Sequence, residues 1–363
     1  MRPMLKPGLR RLWRDGSTLQ LGVDPSRALV LPGVTPGHVA ALDALDGSRA
    51  GTRPATGADQ ATAALLGLLG EAGLLDDAAP DGVEQPPLPA LDRDRLRPDL
   101  AALSLAANHP GGAHRVLAGR RGARVRVRGA GRVGAHIATL LVAAGVGRVV
   151  VDDAGLAGPA DVSPGGLGLD AIGRPRALAA MAALGRVTRQ PAPGAPGGSG
   201  DAAAPFHPNL VVLAPVGVPV LRPDESLELA RAGVPHLLTG IRETTGVVGP
   251  LVVPGRTSCL HCQHLRRYAA DEAWPLLAMQ LARRAESGPD PCDVTLAAQV
   301  SALTAAQALA FLDAGPTAAT LPATAAGTLE IATPDWRVRR RSWRPHADCP
   351  CGAADASTRP DSG

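Results

Sequence analysis

The sequence predicts an α/β protein built on a doubly wound sheet, with a small winged-helix-like module in front of it. Three observations lead there. Residues 125–144 read as a strand, a G-x-G-x-x-G turn and an apolar helix, followed at 147–153 by a second strand ending in two acids. The apolar run NLVVLA at 209–214 and the segment 233–238 supply further strands of the same sheet. The first 85 residues alternate short strand-like and helix-like runs, and a stretch rich in proline and aspartate sets them off.

Length and composition bound the rest. The 363 residues suffice for one large α/β domain and a smaller one, each with its own core. Hydrophobic residues make up 45% and aromatics only 2%, so that core consists mainly of Ala, Leu and Val. Among 37 Lys and Arg residues the only lysine is Lys6, and no basic run is interleaved with aromatics, so the net charge of +4 predicts no nucleic-acid partner. The opening MRPMLKPGLRRLW leads into polar RDGS without an apolar signal core. The longest apolar stretch, 294–312, is broken by Gln299, Ser301 and Gln307 and reads as a buried helix. A cytoplasmic protein with no membrane partner is the expectation.

Along the first module, residues 18–22 and 27–31 flank Asp24-Pro25 as a hairpin, and 36–45 and 61–72, closed by Gly47 and Gly73, read as helices. The expected divisions are the module over 1–85, a linker over 86–98, the sheet domain over 99–352 and a disordered tail over 353–363. Residues 190–205, QPAPGAPGGSGDAAAP, are a loop by composition.

At the turn, Gly129, Gly131 and Gly134 permit a tight bend and let a phosphate approach the N-terminus of the following helix. Asp152 and Asp153 stand about 20 residues on, where a ribose hydroxyl is read in a Rossmann-type site. Arg132, and further off Arg126, Arg128 and Arg174, are anion candidates; they read equally as solvated arginines. The alternative is a Rossmann sheet that binds nothing.

GAGRVG, AAGVGRVVVDD and Gly173-Arg-Pro-Arg176-Ala together resemble the superfamily of ThiF, MoeB and ubiquitin-activating enzymes. GVVGPLVVPGRTSCLHC at 246–262 and DEAWP at 271–275 look like the ThiF-like partner proteins of azoline peptide cyclodehydratases, which grip a leader peptide with an N-terminal winged-helix clamp. The resemblance implies an ATP site made by the glycine turn, Asp152 or Asp153, Arg132 and Arg176, the last at the family's lysine position. It also implies an Asn and an Arg on the loop after the acidic strand, and an Asp that holds magnesium. Residues 152–172 contain no Asn or Arg, and no acid lies between Asp201 and Asp224, where Pro215 and Val216 follow the strand. An arginine fork does not reproduce an ammonium point charge, and adenylyl transfer relies on positioned cations.

The expected function is therefore a degenerate ThiF-like protein that binds a peptide or small protein and presents it, for instance to a YcaO-like modifying enzyme. The alternative is an active adenylyltransferase, dependent on ATP and magnesium, acting on a protein or peptide carboxylate. A plain NAD-dependent dehydrogenase is disfavoured by the VGPLVVPG segment and the cysteine-bearing tail. Relatives dimerise, which implies a homodimer to which 294–312 contributes. In the clamp reading, strand 18–22 offers an exposed edge to an added peptide strand, and Leu19, Leu21, Leu42 and Leu45 line a groove beside it or else fill the module's own core.

Cys259-Leu-His-Cys262 and Cys349-Pro-Cys351 are two close pairs of the kind that meet around a structural zinc. The second has C-x-C spacing, so His261, His264 or His346 is a possible substitute for one thiolate. Cys292, before an apolar helix, is a candidate nucleophile or a structural thiol, and His136 reads as packed.

Overall fold

In a computed structural model, described for residues 2–48, 60–79, 88–188, 206–282 and 290–353, the chain forms two compact units, 1–119 and 120–363. The loop expected at 190–205 and the tail beyond 353 lie outside the described residues.

The first unit is a small β/α module. It contains β1 (Pro3–Leu5), β2 (Arg11–Trp13), β3 (Leu19–Leu21), β4 (Leu29–Leu31), α1 (Pro36–Asp43), α2 (Gln60–Glu71) and β5 (Leu75–Asp77). Then come α3 (Ala90–Arg95), α4 (Arg97–Ala106) and α5 (Gly112–Gly122), the last running into the second unit. A capping box starts α1: the Thr35 hydroxyl accepts from His38 N and His38 Nδ1 accepts from Thr35 N, with Pro36 in the first turn.

Two expectations change here. The β3–β4 hairpin forms, but β2 pairs along the other side of β3, so the strand at 18–22 is central and has no free edge. β2 was hidden because three exposed residues carry no alternation to read. Leu19, Leu21 and Leu42 are buried with Leu5, Leu31 and Leu69 in the unit's core, and Leu45 packs against it. They fill that core and line no groove. The segment expected as a linker at 86–98 is helical from Ala90. Its prolines mislead because Pro89 caps α3 and Pro98 sits in the first turn of α4, where a missing N–H costs nothing.

The second unit is the expected α/β domain. Its elements are β6 (Arg124–Arg128), α6 (Arg132–Ala143), β7 (Arg148–Asp152), α7 (Arg176–Leu184), β8 (Leu210–Leu213), α8 (Pro223–Arg231), β9 (His236–Arg242) and β10 (Thr245–Val252). They continue with α9 (Leu260–Ala270), α10 (Trp274–Leu281), α11 (Val294–Ala314), β11 (Gly327–Ala332) and β12 (Arg337–Ser342). The seven strands run β12-β11-β10-β9-β8-β6-β7. β7, β6, β8 and β9 are parallel, and β9 through β12 antiparallel. Because β6 pairs with β7 on one side and β8 on the other, the chain reverses its direction of winding there, a Rossmann-like topology that opens a crevice at the strands' carboxyl ends.

Val125, Val127, Leu210 and Val212 form the middle of the core, covered by Ile137 and Leu141 of α6 and by Leu296, Val300 and Phe311 of α11. α11 has the length and apolar character to cross a membrane, yet it packs on α6, β9 and β10 as a core helix. Gly246 makes that approach possible: a Cβ there would overlap Val300. The face of α11 that carries Leu296, Val300 and Phe311 is thus buried inside the domain.

Candidate functional site

The glycine turn is built by close approach. Gly129 has φ +102, and a Cβ on it would overlap the carbonyl oxygen of Ala214 at the end of β8; one on Gly134 would overlap Gly129 O. Gly131 caps α6, and a Cβ on it would come within 2.9 Å of Val216 Cγ2. The turn and the residues after β8 therefore press together at the crevice. A cavity of ≈110 Å³ lies between them, lined by Gly131, Arg132, Asp161, Gly217, Asp290 and Cys292 among others.

The two acids after β7 part ways. Asp152 is exposed, 3.4 Å from Arg126. Asp153 is held inside, accepting from Ala130 N at 2.8 Å, Gly155 N at 2.7 Å and Arg176 Nε at 3.0 Å. Arg176 reaches Asp161 as well, at 3.4 Å. Burial alone would lower the pKa of Arg176, but Asp153 and Asp161 raise it above its ordinary value. Arg176, where the resemblance implies a lysine, is therefore bound between two carboxylates and is not among the residues lining the cavity.

No acid follows β8 in sequence before Asp224, but one arrives in space. Asp290, from the segment before α11, lies opposite Gly217, its oxygens 3.3 and 3.4 Å from where a Cβ on that glycine would stand. Hence Asp290 and Asp161 both face the cavity. Two carboxylates are the hard oxygen donors that magnesium takes, so the donor set fits that ion. Sequence reasoning missed Asp290 because it looked for an acid next to the strand and read the GPDPCD segment only for its cysteine. Arg132 donates to Cys292 O at 2.8 Å and keeps a buried Nε without a hydrogen-bond partner. Burial, outweighing nearby Arg132, raises the Cys292 thiol, which is therefore protonated at neutral pH. His136 packs against Gly165, and burial lowers its pKa. Arg174 is exposed, while Arg128 is partly buried on β6; neither lines the cavity.

Away from this cavity the four sulfurs of Cys259, Cys262, Cys349 and Cys351 lie within 4.8 Å of one another. Cys259–Cys262 is 3.8 Å, Cys259–Cys349 3.5 Å and Cys262–Cys351 3.6 Å. Four thiolates around a tetrahedral zinc at about 2.3 Å would stand roughly 3.8 Å apart, so the cluster fits a structural metal held by four cysteines. Hydrogen bonding from Cys259 lowers Cys262 to about 4, and the same bond together with burial raises Cys259. The histidines stand outside the set: His264 Nδ1 accepts from Trp274 at 3.1 Å, His346 meets the cluster through its backbone, its N–H donating to Cys262 Sγ and its carbonyl accepting from Cys349 N, and His261 lines an apolar groove with Tyr268 and Met279. Cys259 also caps α9, accepting from Cys262 N, so the cluster and the helix start together.

No family model matches the sequence, and no curated protein matches it. Solved structures do match. Escherichia coli MccB in complex with AMPCPP and MccA aligns over 97% of this chain and 100% of that one, with a TM-score of 0.65 at 15% identity. MccB with ATP aligns over 97% and 99%, with a TM-score of 0.63 at 16% identity. PaaA aligns over 93% and 98%, with a TM-score of 0.61 at 14% identity. At these identities the likeness is one of fold: a Rossmann-like α/β sheet with a small N-terminal β/α module.

Proposed function

We propose that this chain is a ThiF-type adenylyltransferase that activates a carboxylate of a small peptide with ATP. The observation that carries this reading is the pair Asp290 and Asp161 at the glycine-turn cavity. The sequence argued for a degenerate scaffold on the loss of the loop Asn and Arg, the helix Lys and above all the magnesium carboxylate after β8; Asp290 offers a carboxylate for the last of these. The MccB structures support it too, since that protein holds ATP in one crystal and AMPCPP with MccA in another.

The N–H groups opening α6 and the unpartnered Nε of Arg132 receive phosphate oxygens, in a cavity suited to a phosphate group more than to a whole nucleotide. Asp152, exposed at the end of β7, is available to the ribose. Asp290 and Asp161 would hold magnesium, which neutralises charge developing on the phosphates. An oxygen of the peptide carboxylate attacks the α-phosphorus, the bond from that phosphorus to the bridging oxygen of the β-phosphate breaks, and pyrophosphate leaves with the electron pair. The product is the acyl-adenylate. Arg176 holds Asp153 and Asp161 in place; Cys292, protonated, takes no part in this step. The cysteine cluster is proposed to hold zinc and to anchor α9.

ATP–pyrophosphate exchange on the purified protein with candidate peptides from neighbouring genes tests the reading. Magnesium-dependent exchange that requires a peptide carboxylate supports it, and nucleotide binding without exchange returns the scaffold. Light scattering on the same sample reads out the expected homodimer, and co-purification the YcaO-like neighbour.

A further inference from the structure

A second cavity, of ≈290 Å³, adjoins the first: Pro219 lines it, and the same proline lies 3.0 Å from a Cβ built on Gly240, which lines the other. Gly246 meets α11, so Val247, the next residue of β10, points to the opposite face of the sheet, where this cavity lies. Arg242 at the end of β9, Arg341 on β12 and Arg267 on α9 line it, with Gln263 one helical turn before Arg267 on the same face.

The polar groups here are unevenly matched. Arg341 has Glu330 at 3.7 Å, but among the described residues no carboxylate lies within ion-pair distance of Arg242 or Arg267. Arg267 lies over two rings, its guanidinium carbon 4.6 Å from the ring centre of Trp274 and 5.4 Å from that of Trp343, and among the described residues its guanidinium has no hydrogen-bond acceptor. Burial and the like charges of Arg242 and Arg341 push Arg267 down to about 10. Gln263 is only 5% exposed, and its Nε2 has no hydrogen-bond partner. A buried amide left in that state costs stability unless a ligand accepts from it. Counting charges on the wall, three guanidiniums face two carboxylates, Glu330 and Asp271, which leaves room for a single negative charge and disfavours a phosphate dianion.

The geometry points to a carboxylate-recognition site in which Arg242, Arg267 and Gln263 bind one carboxylate of the peptide, distinct from the carboxylate that is activated at the glycine turn. The inference rests on the peptide-substrate reading above. An acidic side chain and a chain terminus offer the same chemistry, so the test uses both.

Three small probes, N-acetylglutamate α-amide, its neutral isostere N-acetylglutamine α-amide, and N-acetylglycine, are titrated into the full-length protein. Calorimetry and the emission of Trp274 and Trp343 beside Arg267 report binding. The expected result is roughly tenfold tighter binding of a carboxylate probe than of the neutral amide, falling to parity in Arg267→Gln and Arg242→Gln and weakened in Gln263→Met. A preference for the glutamate probe assigns a side chain, and one for N-acetylglycine a chain terminus. Equal binding of all three probes to the unaltered protein, or binding of none, overturns the inference without needing any variant to fold. A preference that survives all three substitutions overturns it as well. Pyrophosphate exchange is scored separately, so carboxylate binding without exchange would remove the adenylation reading and leave this one standing.

Discussion

Arg176 Nη2 lies 3.0 Å from Asp153 Oδ1, with both side chains less than a tenth exposed. Asp153 also accepts from the backbone of Ala130, inside the glycine turn. The pair therefore braces the turn from behind. Removing one partner strands a buried charge, and Arg176→Ala is expected to cost about 3–5 kcal/mol of stability. Thermal unfolding checks this; a variant melting within a degree of the parent would show that the pair contributes little.

Asp290→Asn is expected to lower magnesium-dependent pyrophosphate exchange about 100-fold, the scale seen when one charge-stabilising group is lost from an active site. Asp152→Ala should instead raise the KM for ATP with a smaller change in kcat, because the ribose contact is made equally in ground and transition states. Exchange undiminished in Asp290→Asn would return the magnesium ligand to the list of missing groups.

Purified protein is expected to carry about one zinc per chain, as a structural site of four cysteines requires. Cys351→Ser should release it. Since Cys259 caps α9, hydrogen exchange along 260–270 should accelerate when the metal leaves. Elemental analysis showing no metal in protein prepared without chelator would reject the site.

His236 lies in β9 with no exposed surface, its Nδ1 paired to Val234 O at 2.9 Å and its Nε2 unpartnered. Burial lowers it to about 4. The folded form is neutral at pH values where the unfolded chain already takes up a proton. The contribution of His236 to stability is therefore full above about pH 6.5 and falls as the pH drops toward 4, by roughly 3 kcal/mol across that window. Melting curves at pH 7, 5.5 and 4.5 should show the loss, and in His236→Gln the slope over this range should be smaller.

The halves of this protein were unequally readable. The β6–turn–α6–β7 unit was legible because its signals are local: alternating valines, three glycines and an amphipathic helix lie within thirty residues. The cysteine pairs were legible because short spacing already brings each pair together. β2 was not, because three exposed residues leave no pattern, and the helix at 90–95 was masked by the prolines around it.

By itself the sequence determined the sheet, the position of the glycine-turn crevice and the grouping of four cysteines. Only the tertiary structure decided that Arg176 is held between Asp153 and Asp161, that Asp290 stands where the strand supplies no acid, and that Arg242, Arg267 and Gln263 share a cavity. Such contacts join segments that meet only after the sheet has formed. They leave no periodic trace along the chain, because the forces that bring them together are packing and charge across distant elements, and neither depends on spacing in sequence.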